Sequence, residues 1–255
     1  MCRDIWLIFC REMTHRLRYP VFLIMGLAQP LLYMFFFGPL LTKYVDYTPG
    51  FPPGSIWTIF APALMLQMVL IGSTLVGVGL ISEHRSGVLE RFRVSPIMPG
   101  VLLLGKVGAV MVNVLIQSSL IVLLCHVVFD VDPPWYGLTC CMLIVATLSV
   151  TLSALSYALA LRLKNAEGLT ALLNALLLPL LLLSGTLLPI TAELAPGWLY
   201  WMSRIDPVAY VMEAARASFR GDFGSPSLFA GVAILVAMAT ASLWFGMHTF
   251  RHKFD

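Results

Sequence analysis

Six stretches of the chain, Tyr19–Thr42, Tyr47–Ser82, Val107–Phe129, Pro133–Leu161, Gly168–Ala192 and Phe223–Phe250, contain no Asp, Glu, Lys or Arg. Each reaches or exceeds the ~20 apolar residues that a helix needs to cross a hydrocarbon layer of about 30 Å. Within that layer every backbone amide and carbonyl must be paired internally, so the pattern predicts membrane helices. Trimming the polar and Pro-rich ends leaves six spans, at 21–41, 57–81, 107–129, 137–161, 169–189 and 228–248. The segments outside them follow another rhythm. In MCRDIWLIFCREMTHRLRYP, Ile5, Trp6, Phe9, Met13 and Leu17 recur at helical spacing, while Arg3, Arg11, Glu12, Arg16 and Arg18 occupy the other faces. Residues 1–20 read either as a helix lying in the membrane interface or as a plain positive flank of the first span. Pro20 breaks the chain before residues 21–255 enter the membrane. Between the last two spans, Asp206 suits an N-cap and Pro207 the first helical position. Val208, Val211, Met212, Ala215 and Phe219 then share one face. Just before it, Leu194–Ser203 is uncharged but too short to span, so it dips into the membrane with Trp198, Tyr200 and Trp201 at the interface.

Composition agrees with the pattern: 59% of residues are hydrophobic, 11% are charged, and the mean hydropathy is +0.89, far from a soluble domain. The basic residues supply the orientation. Arg3, Arg11, Arg16, Arg18, Arg85, Arg91, Arg93, Lys106, Arg162, Lys164, Arg251 and Lys253 fall on one side of the six-span scheme, and only Lys43, Arg204, Arg216 and Arg220 on the other. That asymmetry predicts both termini in the cytoplasm. It also accounts for the net charge of +3 without a nucleic-acid surface. The long first apolar run and its amphipathic leader are unlike a cleaved signal peptide. Cys125, Cys140 and Cys141 sit near the outer ends of the third and fourth spans and read as small apolar core thiols, with a bridge from Cys125 to Cys140 or Cys141 left open.

One stretch imitates a phosphate-binding loop. GVLLLGKV, Gly100 to Val107, has two glycines five apart and a lysine after the second. A working loop of that type needs a Ser or Thr after the lysine to hold magnesium, and here Val107 takes the place. An apolar run follows at once, so Lys106 is expected at headgroup level with its stem along the helix. Neither a zinc-protease pair, a nucleophile elbow nor an acid–histidine cluster occurs, so no catalytic or metal-binding residue is predicted. The spans also hold no carboxylate of the kind ion-coupled carriers keep. They do hold amides: Gln67, Asn113, Gln117 and Asn174, which either join helices or line a substrate path.

The connection after the second span, SEHRSGVLERFRVSPIMPG, mixes both signs of charge with a short apolar stripe, Val88, Leu89 and Phe92. It suits either a docking helix for a protein partner or a solvated loop that only sets topology. Its order Glu83-x-x-x-Gly87-x-x-Glu90-x-Phe92-x-x-Ser95-Pro96 resembles the corresponding loop of ABC-2 type exporter permeases. A second match follows the fifth span at Gly185, Pro189, Pro196, Trp198, Leu199, Asp206, Pro207, Tyr210, Glu213, Arg216 and Gly221. Asp206 departs from the Asn more common there, although either residue caps a helix. The resemblance covers essentially the whole chain. It implies an all-α integral membrane protein with a re-entrant segment closing the outer end of the pathway, built from Gly185, Pro189, Pro196, Asp206, Pro207, Tyr210, Glu213 and Arg216. It implies contacts to a separate ATPase at Glu83, Gly87, Glu90, Arg91, Phe92 and Pro96. It also implies two copies of that ABC ATPase holding ATP and Mg, a homodimer or heterodimer of permeases, and residence in a bacterial cytoplasmic membrane. The expected cargo is a hydrophobic or amphipathic drug, lipid or glycan-linked molecule. The competing expectations are an ion-coupled secondary transporter or channel, and a membrane scaffold.

Overall fold

A computed structural model of the chain describes residues 2–18, 20–40, 56–87, 98–186, 190–191 and 195–254. Among these the regular elements are all helical. They are α1 (Cys2–Arg18), α2 (Pro20–Leu32) with a π turn over Tyr33–Phe37, α3 (Ile56–Thr74) and α4 (Val76–Arg85). After them come α5 (Pro99–Phe129), α6 (Trp135–Leu163), α7 (Ala166–Leu183), α8 (Gly197–Ser203), α9 (Pro207–Arg220) and α10 (Pro226–Phe254).

Among the described residues five stretches are long and apolar enough to cross a membrane: Ile56–Arg85, Gly100–Phe129, Trp135–Leu163, Ala166–Leu183 and Pro226–His252. They correspond to the second through sixth predicted spans. The first prediction, 21–41, is helical over 20–40, and among the described residues Gly26–Leu40 is an apolar helix shorter than a full span. Pro30 lies inside that helix, where it lacks an N–H and crowds the preceding turn; the π turn follows three residues later.

The bundle is organised around α6, which packs against α3, α4, α5, α7, α9 and α10. Small buried residues on α6, among them Ser149, Ser153, Ala154, Ser156 and Ala158, let neighbouring backbones come close, the usual device where lipid offers no hydrophobic drive. The second predicted span is one apolar run in sequence, yet its helix breaks at Leu75. Ser156 explains how the break is tolerated. Its hydroxyl accepts from the Gly77 N–H at 2.9 Å and donates to the Thr74 carbonyl, pairing backbone groups that the interruption releases. Gly77 permits the contact, since a Cβ there would stand 2.5 Å from the Ser156 carbonyl oxygen.

α9 departs from expectation in another way. Its residue pattern predicts one apolar face, whereas α3, α6 and α10 surround it, and Ala209, Ala214, Arg216, Ala217 and Ser218 are buried besides the predicted face. At 14 residues it is about 21 Å long, too short to cross. Cys10, Cys125, Cys140 and Cys141 are free thiols; Cys125 Sγ lies 3.7 Å from Met34 Sδ.

Candidate functional site

The loop-like stretch Gly100–Val107 is the opening of α5. Pro99 stands in its first turn, and Val101, Leu102 and Leu103 are buried, so the stretch is a helix packed into the bundle and not an open loop whose successive amides wrap a phosphate. Gly105 has a different purpose. A Cβ at that position would stand 2.7 Å from Ile8 Cγ2 and 3.2 Å from the Ile5 carbonyl oxygen. Only a residue without a side chain lets α1 lie this closely on α5. One residue on, Lys106 is 3% exposed, with Nζ 2.8 Å from Glu12 Oε1 and 2.8 Å from Glu83 Oε2. A single ammonium therefore pins α1, α4 and α5 together. Lys106 does not reach into the headgroups as expected, because α1, admitted by Gly105, covers it and brings a carboxylate. Beside this cluster Arg16 is the side-chain hydrogen-bond partner of Tyr157 on α6.

The same packing sorts the residues of α1. Ile8 is buried and Ile5 packs on the core, whereas Trp6 and Leu17 are exposed at 62% and 57%. One face grips the bundle and another is exposed. Of the predicted coupling residues, Glu83 closes α4 and Gly87 follows in a turn at φ 74°. Glu90, Arg91, Phe92 and Pro96 lie outside the described residues.

Above the cluster, a cavity of about 780 Å³ opens between α1, α2, α3, α4 and α5. Three of the four predicted amides line it: Gln67, Asn113 and Gln117. Gln67 and Gln117 are 4% and 6% exposed, and Gln67 Oε1 has no hydrogen-bond partner. Asn174 is elsewhere, on an exposed face of α7 beside the exposed Leu172, Leu176 and Leu178.

At the opposite end, Asp206 caps α9 by accepting from the Val208 N–H at 2.8 Å, and Pro207 takes the first turn. Arg204 meets Glu213 through two contacts, Nη2 to Oε1 at 2.9 Å and Nη1 to Oε2 at 3.1 Å, and sits over the Tyr200 and Tyr210 rings. The Tyr210 hydroxyl donates to the Arg204 carbonyl at 3.2 Å. Arg216 is buried, and its Nη2 donates to the carbonyls of Gly185 and Thr186 at 2.7 and 3.3 Å while Nε donates to that of Ile59 at 3.3 Å. Gly185, Asp206, Pro207, Tyr210, Glu213 and Arg216 thus form one connected clasp. Pro196 precedes α8, and Pro189 lies outside the described residues.

Residues 3–220, from the first turn of α1 to the last residue of α9, match the family model described as ABC-2 type transporter. The chain belongs to that family. Two relatives agree with it. One, named "Putative transport permease ycf38", from Cyanophora paradoxa, is 28% identical over 216 residues, which is 84% of this chain and 73% of the relative. The other, the daunorubicin resistance ABC transporter permease protein DrrB1 of Streptomyces coeruleorubidus, is 24% identical over 216 residues, 84% of this chain and 74% of the relative. Family membership and the apolar helices make this a multi-pass membrane protein.

Within this ABC-2 chain, sequence reasoning missed Gly105, Lys106, Glu12 and Ser156. The signal for the first two was present, because a glycine and a lysine at the foot of an apolar helix, facing an amphipathic segment that carries Asp4 and Glu12, describe a docking site as well as they imitate a phosphate loop. Ser156 gave no such signal among the other hydroxyls of α6.

Proposed function

We propose that the chain is the membrane subunit of an ATP-driven exporter, embedded in a bacterial cytoplasmic membrane with both termini in the cytoplasm and crossing it six times. ATP and Mg are held by a separate ABC ATPase, present in two copies, and the permease works as a homodimer or with a second permease. The cargo is hydrophobic or amphipathic, a proposal supported by the drug-resistance name of the DrrB1 relative and by the apolar walls around the cavity amides.

The observation that carries this reading is the Lys106 cluster. A partner that pushes on the basic end meets α1 and the connection beginning at Glu83, and both are tied through Lys106 to α5. Movement of α4 is then borne at the Leu75 break, above which α3 stays packed against α6. Glu83, Gly87, Glu90, Arg91, Phe92 and Pro96 form the contact surface, and the Arg216 clasp closes the outer end. The test is to solubilise the chain in mild detergent from its native host. An ABC ATPase co-purifies with it, and replacing Glu90 and Arg91 with alanine releases that ATPase or uncouples transport. Export and association both unchanged in the double variant would contradict the assignment.

A second reading, an ion-coupled carrier, has one observation in its favour: Asp206 is 5% exposed and its Oδ2 has no partner. Uptake driven by an ion gradient in ATP-free vesicles, abolished by Asp206→Asn, selects that reading instead.

A further inference from the structure

The cavity between α1 and α5 has a distribution of polarity that restricts what fits it. Its basic end carries Glu12, Arg16, Glu83 and Lys106, whose formal charges cancel. From Lys106 to Gln117 is eleven residues of α5, about 16 Å of helix rise. At that depth the wall does not turn wholly apolar: Gln67, Asn113 and Gln117 line it, with Gln67 Oε1 buried and unpartnered. Leaving a buried acceptor unpaired is costly, so the deep end is short of a hydrogen-bond donor. Gln29 also lines the cavity, and between the two polar ends Ile71, Leu75, Val76, Leu80 and Val110 give an apolar wall. At Gly72 and Gly79, both of which line the cavity, a Cβ would meet nothing within 4 Å.

We propose that this cavity, inside a single chain, is a binding site for an uncharged amphipath with polar groups at both ends and an apolar middle. A phospholipid or lipid-linked glycan fits it poorly, because such a molecule brings one polar head and would lay its acyl chains against the amides. A polyanionic head would find no net positive charge. A volume of about 780 Å³ is in the range of drug-sized ligand sites. The inference rests on the permease reading for its role in transport, but the binding itself does not.

The test uses the full chain in lipid nanodiscs, with 4,4′-dihydroxystilbene as the two-ended probe, 4-hydroxystilbene as its one-ended counterpart and a fluorescent phosphatidylethanolamine as the lipid. Binding is read as saturable uptake above empty nanodiscs. The dihydroxy probe binds saturably and more tightly than the monohydroxy one. Gly72→Leu or Gly79→Leu, which fill open space, weaken it by about tenfold or more, and Gln67→Leu weakens it by about tenfold. Elution profile and unfolding temperature show that each variant is folded; the three substitutions stand independently, so loss of one leaves the test intact. Absence of saturable binding to the wild type, equal binding by the filled variants, equal binding of the two stilbenes, or preferential loading of the phospholipid into a Gly72-sensitive site overturns the proposal. Failure of the permease reading shows separately, as a solubilised wild-type chain that brings down no ATPase.

Discussion

Among the described residues two basic side chains are buried, one near each end, and they are satisfied in opposite ways. Lys106 is held by two carboxylates on two other elements. Arg216 is held by three backbone carbonyls, of Ile59, Gly185 and Thr186. A planar guanidinium with five donors suits fixed carbonyls, whereas a compact ammonium between two carboxylates is a pair of charge contacts that shift when either acid moves. The difference teaches that the α9 end is built as a clasp and the basic end as a joint. Glu12 and Glu83 retain some exposure, at 14% and 24%, so the joint is not sealed from water.

Breaking the clasp has the largest effect. Arg216→Met leaves the buried carbonyls of Gly185 and Thr186 without this donor, and at roughly 1–3 kcal/mol for each unsatisfied group the loss is about 2 kcal/mol or more. The expected outcome is a sharp drop in unfolding temperature and in the yield of folded protein. Next comes the seat of the joint. Gly105→Val drives a side chain into Ile8, costs about 1–3 kcal/mol, and frees α1, which then shows faster amide exchange and protease cleavage while the spans stay protected. An unchanged exchange rate in α1 would mean that Gly105 is not what seats it. The smallest effect is at the cap of α9: Asp206→Ala costs about 1 kcal/mol and Asp206→Asn close to nothing, read as a difference in unfolding temperature between the two variants. Equal losses would show that the carboxylate does more than cap.

The contrast also marks what could be read from the sequence. Asp206–Pro207 announced the start of α9 because capping is a local matter, decided by a few neighbouring residues. The apolar runs announced five helices for the same reason, since hydropathy along the chain is all that crossing requires. Pro30 and the π turn at Tyr33–Phe37 interrupt the regular helix of the first run, a local irregularity that hydropathy does not register. The break at Leu75 was hidden inside an uninterrupted apolar run, because what makes it tolerable, the Ser156 hydroxyl, comes from a helix some 80 residues later. Lys106 was misplaced for a like reason. Its environment is set by what Gly105 allows α1 to do, and sequence spacing shows neither the partner nor the distance. Three of four amides converge on the cavity, while Asn174 shares only its residue type with them.

The central claim is that force from an ATPase partner passes through Lys106 into the membrane helices. It is tested most directly by the labelling rate of Asn113→Cys, in the cavity, by a membrane-permeant maleimide, in a chain stripped of its other cysteines and assembled with its ATPase. With Lys106 present, ATP changes the labelling rate several-fold. With Lys106→Met the ATPase stays bound and ATP leaves the rate unchanged; an ATP response as large as that of the unmodified junction would contradict the account.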